Sequence, residues 1–216
     1  GAPIAMMDGT YLTDMRTGAA GAVAVKYLAR KDSRTIGIIG AGRQARTQLQ
    51  AINEVIEIEE VKIASRSSEG IEKFLKDISI KGKIMPKTIE EACECDILVT
   101  TTPVREPIIK SEWISEGTHV NAIGADAEGK EELDPKLLKR GKIVVDDLAQ
   151  ASHSGEINVP LARGVIKIED IYCELGEIIA GKKAGRTSEE EITIFDSTGL
   201  AIQDVATGNL VYQKAR

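Results

Sequence analysis

Three places in the sequence hold groups able to do chemistry. The run GAGRQA, Gly40 to Ala45, follows an apolar stretch and opens a segment of helical character. In such a run Gly40 permits a tight turn, Gly42 lets backbone amides approach a ligand, and Ala45 is small enough for helix and strand to pack closely. The amides of residues 42 to 44, with the side chains of Arg43 and Gln44 beside them, then face outward at the positive end of a helix, where a pyrophosphate is attracted. Asp126, just after Gly124 and Ala125 at the end of another apolar run, can act as general base for water attack on an imine and as acid in return, or can simply cap the next turn. Arg16 offers a two-pronged hydrogen-bonding fork to the carboxylate of an amino or keto acid, although most helical arginines face water.

A glycine turn of this kind points to a nicotinamide dinucleotide. In NAD-specific sites an acid about 20 residues further on accepts from the ribose 2′-hydroxyl. That place is taken here by Ser65-Arg66-Ser67, two hydroxyls flanking a guanidinium, with no carboxylate to repel a 2′-phosphate. NADP is therefore favoured over NAD, the alternative being that Arg66 is a solvated surface residue.

Other chemistries find little support. His119 falls in an apolar strand and His153 in a polar loop, neither with Cys or His at ligand spacing, and Cys93 and Cys95 lack a second pair, so no metal site is expected. Asp146-Asp147 and Glu189-Glu190-Glu191 read as capping and solvation. A net charge of -6 and 3% aromatic residues argue against a nucleic-acid partner. No run approaches the roughly 18 apolar residues of a membrane span. Three cysteines suit a reducing cytoplasm.

The elements that must position these groups alternate. The strand-like run APIAMM precedes a helix, capped by Asp8 or Thr10, that continues to about Arg30 and whose small residues suggest close packing. Strands are expected at TIGIIG, VKIA, KIM, DILVTTT, THVNAIG and KIVVDD, with helices between the earlier ones, while ITIFDS either adds a strand or leads out of the sheet. A final helix, N-capped by Ser197 or Thr198, is expected to pack on the first helix outside the sheet. The pattern is α/β: a Rossmann doubly wound parallel sheet plus the remnant of a second domain, to which the resemblance below gives dimerisation and substrate roles. The opening at Gly1 reads either as a cut from something longer or as a processed or tagged terminus.

With Asp8, LTDMRTGAA, GAGRQA, VTTTP, NAIGADAEGKEELD, VVDDLAQ and FDSTGLAIQD in that order, the chain resembles the ornithine cyclodeaminase and mu-crystallin family over nearly its full length, most nearly its archaeal alanine dehydrogenase branch. The resemblance implies a homodimer in which a dinucleotide domain (33–195) faces a second domain, of which 1–32 would be a remnant and to which the helix in 196–216 would return. Members carry on the order of a hundred residues before MDGTYLT, a length that suits a second small domain, and these include a substrate lysine and arginine that no residue here can inherit. A chain that really began at Gly1 would be expected to bind cofactor without a complete substrate pocket.

Carried over, Asp126 is the catalytic acid/base, Arg16 lies near substrate carboxylate and nicotinamide, and Thr198 contacts substrate. Gly40, Gly42, Arg43, Gln44, Ser65, Arg66, Ser67, Thr102, Ile123, Gly124, Lys130 and Ser197 are cofactor contacts. The aspartate argues against the ketimine reductase branch, whereas the Ser-Arg-Ser turn resembles that branch's NADP type. The implied activity is NAD(P)-dependent oxidation of L-alanine to pyruvate and ammonium. The alternatives are ornithine cyclodeamination with recycled NAD and a non-catalytic NADP-binding, crystallin-like protein.

Overall fold

Apolar runs bounded by glycine and charge become strands, buried on both faces in the interior of the sheet. In the computed structural model, which describes residues 1–216, these are β1 (Thr35–Ile39), β2 (Glu60–Ala64), β3 (Lys83–Pro86), β4 (Ile97–Thr100), β5 (His119–Ala122), β6 (Lys142–Val145), β7 (Ile171–Glu174) and β8 (Thr193–Asp196). All pair parallel in one sheet ordered β3-β2-β1-β4-β5-β8-β6-β7. Every residue of β4, β5 and β8 is buried, as a parallel sheet covered on both faces requires. The chain runs outward from β1 to β3, then restarts at β4 beside β1. That reversal opens a crevice beyond the carboxyl ends of β1 and β4, where ligands bind in such sheets.

The helices are α1 (Gly9–Leu28), α2 (Arg43–Asn53), α3 (Ser68–Asp77), α4 (Ile89–Cys93), α5 (Pro135–Arg140), α6 (Leu148–Ser154), α7 (Asn158–Ala162), α8 (Leu175–Ile179) and α9 (Ala201–Ala215). On one sheet face Ile36, Ile38 and Val99 pack with Leu49, Ile52 and Phe74; on the other, Leu98, Val120 and Ile143 pack with Leu133, Leu137 and Leu138. Each such side chain contributes about 1.5–3 kcal/mol by leaving water.

Asp8 caps α1 by accepting from the Thr10 amide at 2.8 Å. The helix meets α9, and it also lies against α2 and the sheet. Three side chains from α2 and the strands bind its carbonyls: Gln48 Nε2 donates to Thr17 O at 2.8 Å, Asn121 Nδ2 to Gly21 O at 3.1 Å and Thr193 Oγ1 to Leu28 O at 2.8 Å. A Cβ at Gly18 would lie 2.5 Å from the Thr47 carbonyl, so the small residues do set a close α1–α2 contact. Toward α9, Thr13 Oγ1 and Arg16 Nε both reach Asp204 Oδ1.

Further expectations need correction. APIAMM forms no strand. ITIFDS joins the sheet interior as β8, and the short half-buried β7, hidden in a charged stretch, forms one edge. His153 lies on α6. Neither Ser197 nor Thr198 caps the last helix: α9 starts after Leu200, because the Thr198 hydroxyl is committed to Asp146. No helix is long and apolar enough to cross a membrane.

Candidate functional site

The glycine turn joins β1 to α2. Gly40 has φ +103°, a conformation that disfavours any side chain, and a Cβ there would lie 2.6 Å from Thr101 Oγ1 in the loop after β4. Gly42 caps α2 without any side-chain hydrogen bond, and a Cβ on it would meet open space. The first amides of α2 are thus left without a side-chain acceptor beside an open approach, which fits a pyrophosphate. A cavity of about 330 Å³ adjoins the turn, lined by Gly40, Gly42, Ser65, Arg66 and Thr102 among others, with Ile39, Ile89 and Ile108 as apolar wall. No carboxylate lines it. Ser67 is occupied as the cap of α3, accepting from Gly70 N at 2.9 Å, while Ser65 Oγ accepts from Ser67 N at 3.3 Å.

A second, smaller cavity of about 80 Å³ lies where α1, the start of α2 and the loops after β5 and β8 converge. It gathers Arg16, Gln44, Ile123, Asp126, Ser197 and Thr198. Lys130 Nζ donates to Asp126 Oδ1 at 2.5 Å, placing a cation on the candidate acid/base. Arg16 is oriented from α9: its Nε lies 3.3 Å from Asp204 Oδ1 and its Nη1 3.4 Å from Gln203 Oε1. Its guanidinium rests on Gly199, where a Cβ would come within 2.3 Å of Nη1. Ser197 Oγ is buried with no protein partner, a donor and acceptor left for a ligand. Gln44 Nε2 donates to Asp14 Oδ1 at 3.0 Å, and Arg43, largely exposed, lies 3.7 Å from the other Asp14 oxygen. Arg43, Ser67, Gly124 and Lys130 line neither cavity.

Asp146 and Gln150, which lie in VVDDLAQ but are assigned no site role from the sequence, also shape the site. Asp146 accepts from Thr198 N at 2.7 Å, Thr198 Oγ1 at 2.8 Å and Gly199 N at 2.8 Å. Gln150 Nε2 donates to Thr198 Oγ1 at 3.0 Å and to Gly199 O at 2.7 Å. The 198–199 turn facing Arg16 is therefore held from α6 and the end of β6. Burial pushes the Asp146 carboxyl up, against the pull of these hydrogen bonds. In the sequence Asp146 is one of an ordinary acidic pair. Its neighbour Asp147 caps α6 by accepting from Gln150 N at 2.8 Å, while Asp146 reaches a turn far along the chain. His119 is fully buried between Thr193 Oγ1 and Asn121 Oδ1, and burial pushes it down to about 3, so it stays neutral and serves the fold.

A model of the ornithine cyclodeaminase/mu-crystallin family matches residues 1–216. Alanine dehydrogenase of Archaeoglobus fulgidus is 56% identical over 218 residues, covering 100% of this chain and 67% of the relative. An archaeal alanine dehydrogenase dimer with bound NAD superposes with a TM-score of 0.96 at 56% identity, over 100% of this chain and 68% of that one. The Delta(1)-pyrroline-2-carboxylate reductase of Thermococcus litoralis, in complex with NADH and L-proline, gives a TM-score of 0.96 at 47% identity, over 100% and 68%. The chain thus spans about two-thirds of the length of these relatives.

Proposed function

The chain belongs to the ornithine cyclodeaminase/mu-crystallin family, and from that premise we propose that it forms the dinucleotide-binding and catalytic part of an NAD(P)-dependent amino-acid oxidoreductase, an alanine dehydrogenase. The observation that carries this reading is the convergence of Asp126, Arg16 and the unpartnered Ser197 hydroxyl in one small cavity near the uncapped start of α2.

The residues fit the cofactor. Gly40, Gly42 and the first amides of α2 would hold the pyrophosphate, Ser65 and Arg66 the adenosine ribose, and Thr102, Ile123 and Ser197 the nicotinamide half. A bound nicotinamide would supply the hydride acceptor for Cα of L-alanine. Arg16 holds the substrate carboxylate and so fixes which face of Cα is presented. Once the amine lone pair has closed to an imine, Asp126 takes a proton from the water that attacks the imine carbon. It returns that proton to nitrogen as the C–N bond breaks, releasing pyruvate and ammonium. Thr198 bounds the substrate, but its hydroxyl proton is already given to Asp146, so it offers only a lone pair.

Residues 1–32 and α9 are assigned with this reading to a second, dimer-forming unit. No residue of α9 is buried, and Ile202 and Val205 stand 72% and 70% exposed, which suits a helix that packs against a partner surface. Arg66 and the absence of an acid in the adenosine cavity favour NADP. The test is absorbance at 340 nm with L-alanine and either cofactor. Net formation of reduced cofactor is expected; ammonia and proline from ornithine without net reduction would instead assign the cyclodeaminase reaction.

A further inference from the structure

Glu132 is fully buried, lines neither cavity and has no part in the steps above. Its carboxylate nonetheless touches both loops that carry cofactor contacts. Oε1 accepts from Thr102 N at 2.6 Å and Thr102 Oγ1 at 2.6 Å. Oε2 accepts from Thr100 Oγ1 at 2.6 Å and Gly124 N at 2.9 Å. Each oxygen thus receives one hydroxyl and one backbone amide, the Thr102 amide from the loop after β4 and the Gly124 amide from the loop after β5. The loops also touch directly, since a Cβ on Gly124 would lie 2.5 Å from Thr102 N.

The residue that holds them is itself fixed from behind. Its own amide donates to Glu156 Oε1 at 2.9 Å, the Leu133 amide donates to the same oxygen at 2.7 Å, and its carbonyl accepts from Ile108 N at 2.9 Å and Ile109 N at 3.0 Å. The carboxylate is therefore aimed by contacts that do not depend on the site.

We propose that Glu132 is a positioning residue, a buried carboxylate that sets the spacing between Thr102 and the Gly124–Asp126 loop and so the shape of the nicotinamide subsite. The proposal rests on the dinucleotide reading above. All four partners are neutral donors, so only a carboxylate can satisfy both backbone amides at once. In Glu132→Gln one oxygen becomes an NH2 group. The hydroxyl on that side can turn to accept from it, but the amide on that side cannot, and two donors face each other. One loop must move away whichever way the carboxamide is placed.

The test uses the intact protein and measures the Kd for NADH by fluorescence, kcat and KM with L-alanine, and the melting temperature. E132Q is expected to weaken NADH binding by about fivefold or more and to lower kcat by about tenfold or more, the scale of a buried amide left unsatisfied. Glu132→Asp, which keeps the charge and four lone pairs, recovers part of both. Thr100→Val removes one hydroxyl donor without touching either cavity, and shifts both constants by about two- to fivefold in the same direction. A role confined to the fold lowers the melting temperature and leaves NADH affinity and kcat of the folded protein within about twofold of wild type; that result overturns the proposal. If E132Q does not fold, T100V decides by the same two constants. Failure of the wild-type protein to bind NADH would overturn the dinucleotide reading itself, and is seen before any variant is compared.

Discussion

Lys130 Nζ lies 2.5 Å from Asp126 Oδ1, so the carboxylate assigned to proton transfer is paired with a cation four residues along the same loop. The Asp126 side chain is 60% exposed, and a pair so open contributes at most about 1 kcal/mol to stability. In the proposed mechanism the pair would aim one oxygen and leave the other for water. Asp126→Asn is expected to bind NAD(P)H as wild type does and to lose about 10²–10⁴ in kcat, the usual worth of a positioned acid/base. Lys130→Met is expected to melt at nearly the wild-type temperature but to turn over more slowly. Near-wild-type turnover in D126N would remove Asp126 from the mechanism.

Arg16 reaches the cavity from α1 but is oriented by Asp204 and Gln203 on α9, and its guanidinium needs Gly199 to be a glycine. Arg16→Met is expected to raise KM for alanine by about tenfold to a hundredfold, the value of a charge-assisted hydrogen bond to a carboxylate. Asp204→Asn keeps the guanidinium and loosens its aim, so a smaller rise is expected. Steady-state kinetics of both variants check this, and an unchanged KM in R16M refutes the carboxylate contact.

Arg66 lines the cavity beside Ser65, while Ser67 lies outside its lining and caps α3. Both serine hydroxyls accept a backbone amide and keep a proton to donate, so in the proposed NADP reading Arg66 would supply the charge that a 2′-phosphate needs. Arg66→Ala is expected to weaken NADPH binding by about tenfold or more and to leave NADH nearly unchanged. Paired Kd measurements decide it: equal losses for both cofactors would mean that Arg66 does not read the 2′ end.

What could be read from the sequence was the part written in local pattern. TIGIIG, DILVTTT and THVNAIG announce buried strands by their own apolar residues, and GAGRQA brings its own geometry. The edge strand IYCE is short and sits among charges, so little local marks it. The cap of α9 was misplaced for a different reason. Thr198 has the right side chain for a cap, but the Asp146 carboxylate competes for it from 52 residues away. The same holds for Glu132, Glu156 and Asp196. A carboxylate is ordinarily read as a surface group, and only the fold reveals that backbone amides from other loops replace its water.

Asp196 turns that burial into a pH dependence. It lies fully buried at the end of β8, with Oδ2 accepting from Ile157 N at 3.1 Å and Oδ1 without a partner. Burial pushes its carboxyl from 3.8 up to about 7, and Asp146 and Glu132 nearby add to the push. The folded chain therefore keeps this proton over a range in which the unfolded chain has lost it. Its contribution is full below about pH 4, declines as pH rises toward about 7, and is gone above that, a difference of up to about 4 kcal/mol. Burial pushes Glu132, Glu156 and Asp146 the same way, Glu156 also through the charges of Glu132 and Asp196, and steepens the decline. Glu91 works in the opposite sense, held at about 2 by its Lys87 hydrogen bond, but its contribution is lost only on acidification below its unfolded value of 4.5. His119 works against the buried acids up to about pH 6.5, since burial holds it at about 3 while the unfolded imidazole still takes a proton. Four buried acids oppose this one histidine, so the melting temperature is expected to fall between about pH 5 and pH 8. Asp196→Asn cannot ionise, so it should show a shallower fall and gain on wild type as pH rises. Melting curves of both proteins at the two pH values provide the check, and an equally steep fall in the variant would place the dependence on other groups.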